Sequence, residues 1–206
     1  MAKAACILCG QRAKRVCILK NNMPVCALCC RENVIQAGSK CSRECPYYLE
    51  TYNYLQEKAT DRFQRFMSHE PHHYFMNRSE NELYALFVLF KSLMRGLEKH
   101  PDTTDANLKM ALDALRSELI ASRSKIIYDG APLSPRANEL FITMTNESRI
   151  SEKEQEPSTK NEPKKFILDE LPRESVETAF SIMGKIITTH QTPDERGFVS
   201  FIQSLS

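Results

Sequence analysis

The sequence predicts a mainly α-helical protein with a small cysteine module at its N-terminal end and a helical bundle after it. Three observations predict this. All eight cysteines of the 206-residue chain fall between Cys6 and Cys45. From Tyr47 onward, apolar residues recur at spacings of three and four, the period of helices with one buried face. Outside the cysteine region there is no useful alternation of apolar and polar residues to mark a strand, and no repeat of about 20 to 50 residues to mark a solenoid. A hydrophobic content of 42% is enough to bury one ordinary core. The expected division is a cysteine module over 1–46, a helical bundle over 47–148, a flexible linker over 149–165, and C-terminal helices over 166–206 that pack on the bundle or on a partner.

The module is read from its cysteine spacing: CxxC at Cys6 and Cys9, a single Cys17, CxxCC at Cys26, Cys29 and Cys30, and CxxxC at Cys41 and Cys45. Eight thiols make two sets of four, and four thiolates complete the tetrahedral shell of one structural zinc. Residues 1–46 contain no aromatic side chain and are too few to build a hydrophobic core unaided, so two zinc ions are expected to hold the segment together. Gly10 and the run Asn21-Asn22-Met23-Pro24 supply turns for short hairpins or knuckles around the metal.

Cys29 and Cys30 are adjacent, so their side chains point different ways and are expected to serve different ions. The preferred pairing puts Cys6, Cys9, Cys26 and Cys29 on one zinc and Cys17, Cys30, Cys41 and Cys45 on the other. A linear pairing, which joins Cys6, Cys9 and Cys17 to one of the middle three, stays open. The first 68 residues hold no histidine, which favours all-thiolate coordination, and eight protein ligands leave no open position for a catalytic water. The spacing matches neither common ferredoxin pattern, which makes an iron–sulfur cluster the less favoured cofactor.

The first residues, MAKAACILCG, lack the charged and apolar regions of a secretory signal. The longest apolar or aromatic run, Leu83 to Phe90, falls well short of the roughly 20 residues that cross a bilayer. A cytoplasmic protein with no membrane partner is therefore expected. In a reducing compartment, clustered CxxC pairs are metal ligands more often than disulfides.

The helices follow in order. Tyr48, Leu49, Tyr52, Leu55, Ala59, Phe63, Phe66 and Met67 define one face of a helix over 47–67. Ser79 and Glu82 form a capping-box pattern ahead of a second helix to about Lys99, carrying Leu83, Leu86, Phe87, Phe90, Leu93, Met94 and Leu97, the candidate centre of the bundle. Thr103 or Thr104 caps a third, with Leu108, Ala111, Leu112, Leu115, Leu119 and Ile126 on one side and an end near Ile127. Ser134-Pro135, an N-cap followed by a first-turn proline, opens a fourth through Leu140, Phe141 and Met144 to about Ser148. Residues 149–165 hold two prolines, many charges and one aliphatic side chain, the composition of a linker. Val176, Ala179, Phe180, Met183, Ile186 and Ile187 mark a helix over 172–190, and a short last helix is expected after Thr192-Pro193 with Glu195 in the capping-box position.

The run from Cys41 to Cys45, after a CxxC and further cysteines, resembles the cross-braced HIT and MYND zinc fingers, although the histidine and cysteine that follow this pair in those families are absent here. The module is more similar to an N-terminal segment of uncharacterised bacterial proteins that runs CxxCG, a lone C, CxxCC, then CxxxCPY. Here these are Cys6 to Gly10, Cys17, Cys26 to Cys30, and Cys41 to Tyr47. The likeness covers about the first 50 residues and, more loosely, the helices and the stretch from Ile127 to Pro135. It implies a metal-bound module on a helical domain and no activity.

Other features weigh less. Residues 1–46 hold eight basic residues (Lys3, Arg12, Lys14, Arg15, Lys20, Arg31, Lys40, Arg43) against two acidic ones (Glu32, Glu44). Each zinc with four thiolates carries a formal charge of about −2, which cancels most of that excess. The rest of the chain, with 20 basic and 24 acidic residues, is mildly acidic, so nucleic acid is a possible partner but not a favoured one. The Arg12, Lys14 and Arg15 group reads as a solvated loop. His69, His72 and His73 with Glu70 are the one histidine cluster, but Pro71 interrupts the helix that would align them as ligands. Ser134 has cap chemistry and no nucleophile context. Tyr47, Tyr48, Tyr52 and Tyr54 sit beside the module, where they can pack it onto the first helix or anchor a partner.

These features point to a non-enzymatic interaction or regulatory protein with structural zinc and no small-molecule substrate. It would bind a protein partner or assemble into a homo-oligomer through its helical faces. A nucleic-acid-binding regulator is the first alternative, and an iron–sulfur or thiol redox sensor the second.

Overall fold

The computed structural model describes residues 4–31, 45–124, 132–148, 166–190, 192 and 195–205. The chain is mainly helical and divides into two compact units, residues 1–59 with 151–159, and residues 60–150 with 160–206. The expected linker, 149–165, lies outside the described residues.

The first unit is built on an antiparallel hairpin of β1 (Arg15–Cys17) and β2 (Met23–Val25), with Arg15 opposite Val25 and Cys17 opposite Met23. Asn21 and Asn22 turn the chain with φ of 52° and 60°, a left-handed conformation that asparagine tolerates better than most residues. Ile7 donates its backbone N–H to Pro24 O at 3.1 Å, which lays the first CxxC loop along the hairpin. Residues 27–31 are helical. Among the described residues, Cys6, Cys17, Cys26, Cys29 and Cys30 form a buried cluster with Val25, while Ala13 and Tyr47 pack at its edge.

Helix α1 (Pro46–His69) belongs to the first unit as far as Ala59 and to the second from Thr60. Its apolar stripe is buried only in part. Phe63 and Phe66 are core residues, but Leu49 and Tyr52, expected on the buried face, are 57% and 41% exposed. Periodicity identifies a face; it does not say whether anything covers it.

In the second unit, α2 (Glu80–Lys99) packs against α4 (Pro135–Ser148) and α5 (Arg173–Thr189), and α3 (Asp105–Ser124) packs on α4 and α5. The helix starts follow the cap chemistry. Ser79 Oγ accepts the Glu82 N–H at 3.3 Å while Glu82 accepts the Ser79 N–H at 2.7 Å. Thr104 Oγ1 accepts from Asn107 at 3.3 Å, and Ser134 Oγ from Ala137 at 3.2 Å. Leu86, Leu93, Leu108, Leu115, Leu140, Met144, Val176, Met183 and Ile186 meet in one core. Ile126 and Ile127, expected to end α3, lie outside the described residues. Among the described residues no helix is long and apolar enough to cross a membrane.

The last helix differs from expectation. It is α6 (Gly197–Ser204), starting beyond Glu195 rather than directly after Thr192. Glu195 has a φ of 58°, which a helix cannot use, and its N–H closes a turn onto Thr192 O at 2.9 Å. The cap comes instead from α3, where buried Asp105 accepts the Phe198 N–H at 3.0 Å and the Val199 N–H at 2.9 Å. Gly197 is required by close approach, because a Cβ there would lie 1.9 Å from His190 O.

Glu70, just past α1, is 3% exposed and bonds His190 Nε2 at 2.6 Å, and its second oxygen is buried without a partner. Burial pushes this carboxyl above its usual range, against the pull of the His190 bond and the charges of His190 and His69. Glu70 therefore holds a proton more tightly in the folded chain than in the unfolded one. The resulting stabilisation is full below the ordinary carboxylate pKa and is lost as pH rises through the higher folded-state value. Urea melts of the parent chain should thus show stability falling with pH across that mildly acidic window. Glu70→Gln should flatten the dependence; an unchanged slope would remove Glu70 as its source.

Candidate metal centre

Two turns of similar design present four sulfurs to one point. The first runs Cys6-Ile7-Leu8-Cys9-Gly10. Gly10 adopts a φ of 72° and donates its N–H to Cys6 O at 2.8 Å, folding the loop so that both sulfurs face the same side. The Cys6 N–H bonds Gln11 O at 2.7 Å and closes the base of the loop. The second turn follows β2, where Cys26 O accepts the Cys30 N–H at 3.0 Å as the chain turns helical, and Cys29 comes round beside Cys26.

The sulfurs of Cys6, Cys9, Cys26 and Cys29 all lie within 4.8 Å of one another, three of the residues buried and Cys9 exposed. Cys9 Sγ and Cys26 Sγ are 3.6 Å apart. A tetrahedral ion with metal–sulfur bonds of about 2.3 Å needs sulfurs about 3.8 Å apart, so the four are positioned to hold a single metal ion.

The electrostatics agree. The Cys29 N–H donates to Cys26 Sγ at 3.4 Å, tying the second turn together at its sulfur. Burial pushes Cys6 up, but the N–H groups of Cys26, Leu8 and Cys9, together with the Cys9 thiol, outweigh it and bring Cys6 down to about 6. Cys29 is driven well above the ordinary thiol range, first by Cys9, then by Cys26 and by burial. Sulfurs this close oppose one another's ionisation, and a divalent cation at their centre reverses that balance.

No family model matches the chain, nor does any curated protein or solved structure.

The other described cysteines, Cys17, Cys30 and Cys45, are not members of this four-sulfur group. Cys17 is buried in β1, Cys30 in the helical residues 27–31, and Cys45 just ahead of α1. Cys41, the fourth member of the second expected set, lies outside the described residues. Among the described residues, Cys17, Cys30 and Cys45 do not form a second group of three possible ligands. Cys29 joins the four-sulfur group and its neighbour Cys30 does not. Cys6 and Cys9 meet Cys26 and Cys29, not Cys17. All seven described cysteines carry free thiols.

The histidines go elsewhere. His69 ends α1 with Nδ1 2.8 Å from Arg65 O, His72 and His73 lie in a short 3-10 turn after Pro71, and Glu70 pairs with His190. Among the described residues none of them joins three possible ligands.

Arg15 differs from the solvated loop expected of it, whereas Arg12 and Lys14 are exposed. Arg15 bonds Glu50 at 3.1 Å and Thr51 at 3.3 Å, with its guanidinium 5.0 Å from the centre of the Tyr47 ring. Sequence reading also passed over Arg31, whose Nε is buried without a hydrogen-bond partner. Nothing local marks it out among eight basic residues, because its surroundings include α1 residues some twenty positions further along the chain.

Proposed function

We propose that this chain is a zinc-dependent interaction protein: structural zinc fixes a small N-terminal module that presents a rigid surface to a protein partner, and no catalysis takes place at the metal. The observation that carries the reading is the four-sulfur group of Cys6, Cys9, Cys26 and Cys29, all within 4.8 Å. Its size favours one ion over an iron–sulfur cluster, which places several irons and sulfides between its thiolates and spreads them further. Four protein thiolates fill a tetrahedral zinc and leave no position for substrate. The second set, Cys17, Cys30, Cys41 and Cys45, would hold a second zinc.

Zinc binding here is folding energy, since among the described residues Val25 is the one buried aliphatic side chain in the cysteine cluster. The partner surface is supported by apolar side chains that the first unit leaves in solvent, among them Ile7, Leu8, Val16, Ile18 and Leu28 on the cysteine module.

Elemental analysis of protein purified anaerobically without added metal, with a parallel thiol count, tests the reading. Zinc at one or two ions per chain with shielded thiols is the expected result. Iron with acid-labile sulfide would replace it with a redox protein, and disulfides without metal would overturn it.

A further inference from the structure

Of the four sulfur ligands at the metal centre, three are enclosed by the module and one is not. Cys6, Cys26 and Cys29 are buried, whereas Cys9 is exposed. The turn that carries Cys9 is open as well, with Ile7 and Leu8 43% and 46% exposed. When a zinc ion is bound all four sulfurs are thiolates, so access rather than acidity decides which of them meets a solute. A thiolate remains a nucleophile wherever solvent reaches it. The exposed sulfur also has a second thiolate in place. Cys9 Sγ lies 3.6 Å from Cys26 Sγ, close to the separation of about 3–3.5 Å at which reacting atoms stand before a bond forms.

We infer that Cys9 is an oxidation site for hydroperoxides and that the disulfide it then forms with Cys26 releases the metal ion. The Cys9 thiolate attacks the terminal oxygen of the peroxide, the O–O bond breaks, and the sulfur, oxidised by two electrons, becomes a sulfenic acid. The leaving alkoxide, or hydroxide in the case of hydrogen peroxide, keeps the electron pair and takes a proton from solvent. The Cys26 thiolate next attacks the Cys9 sulfur; the S–S bond forms, the S–O bond breaks, and hydroxide leaves and is protonated. One peroxide thus consumes two thiolates and two protons. Only Cys6 and Cys29 then remain as ligands, and a dithiol reductant with fresh zinc reverses the change. This inference rests on the reading of the chain as a zinc-dependent interaction protein and names a control of the same site: oxidation withdraws the ion that fixes the partner surface.

The test uses the full-length, zinc-loaded parent chain with hydrogen peroxide as the probe. A chromophoric chelator follows zinc release, and samples alkylated at intervals are mapped by tandem mass spectrometry. Zinc release and a Cys9–Cys26 linkage should rise together, about one ion per linkage, and dithiothreitol with zinc should reverse both. In a separate arm without peroxide, a brief pulse of iodoacetamide should modify Cys9 at least about ten-fold faster than Cys6, Cys26 or Cys29. Equal labelling of the four, or a linkage that omits Cys9 or joins it to Cys6 or Cys29, would overturn the inference without any variant having to fold. Metal content before peroxide is added separates the two readings. A zinc-loaded chain that keeps its zinc overturns the oxidation site alone, whereas a chain that takes up no zinc overturns the zinc reading and this inference with it.

Discussion

In a Cys26→Ser variant, zinc content should fall by one ion per chain and the β1–β2 hairpin should lose its order. Cys26 holds a central place in the group: its sulfur lies 3.6 Å from that of Cys9, it accepts the Cys29 N–H, and its carbonyl starts the helical residues 27–31. Serine keeps the size but gives zinc a poor ligand. Structural zinc sites of this kind supply about 10–16 kcal/mol at neutral pH, so losing one of four thiolates should weaken binding more than about 100-fold. Competition with a chromophoric chelator reads the affinity, and backbone NMR reads the hairpin. The core of the second unit contains no cysteine, so its melting should stay within about 0.5 kcal/mol of the parent. Full zinc retention in Cys26→Ser would rule out this four-sulfur group as the site.

The second large effect is expected where α6 joins the bundle. Gly197→Ala should destabilise the second unit by about 3 kcal/mol or more, because the new Cβ would sit 1.9 Å from His190 O and 2.7 Å from the Thr192 methyl. A flexible side chain could move aside; a backbone carbonyl at the end of α5 cannot without shifting the helix. Asp105→Ala should cost about 2–4 kcal/mol, since it leaves the buried amides of Phe198 and Val199 without acceptors. Asp105→Asn retains one acceptor oxygen and should recover part of the loss. The two positions share one junction, so the double variant should lose less than the sum. Chemical denaturation checks all four variants, and a Gly197→Ala chain as stable as the parent would show that the junction yields more easily than its geometry indicates.

How much of this was legible depended on how local the determining interaction is. Ser79 with Glu82, and Ser134 with Ala137 across the first-turn Pro135, set their helix starts through bonds three residues long, so the pattern is local in the sequence. The apolar faces of α2, α3 and α5 were legible for the same reason, since their period is local. The cap of α6 was not, because its donor and acceptor groups lie more than ninety residues apart, and the local Thr192–Glu195 pattern offered a plausible but wrong start. Leu49 and Tyr52 were misread because a periodic stripe carries no information about its cover.

The same division holds at the metal centre. The spacing of Cys6, Cys9, Cys26 and Cys29 determined by itself that two CxxC turns exist, because such a turn brings its two sulfurs together whatever surrounds it. That these two turns come together was decided by the tertiary structure, through the hairpin that carries the second turn back beside the first. The charge environment was also a tertiary outcome. Arg15 found Glu50 and Thr51, and Arg31 was left with a buried Nε without a hydrogen-bond partner, because burial and pairing depend on segments that are distant in the chain and adjacent only after folding.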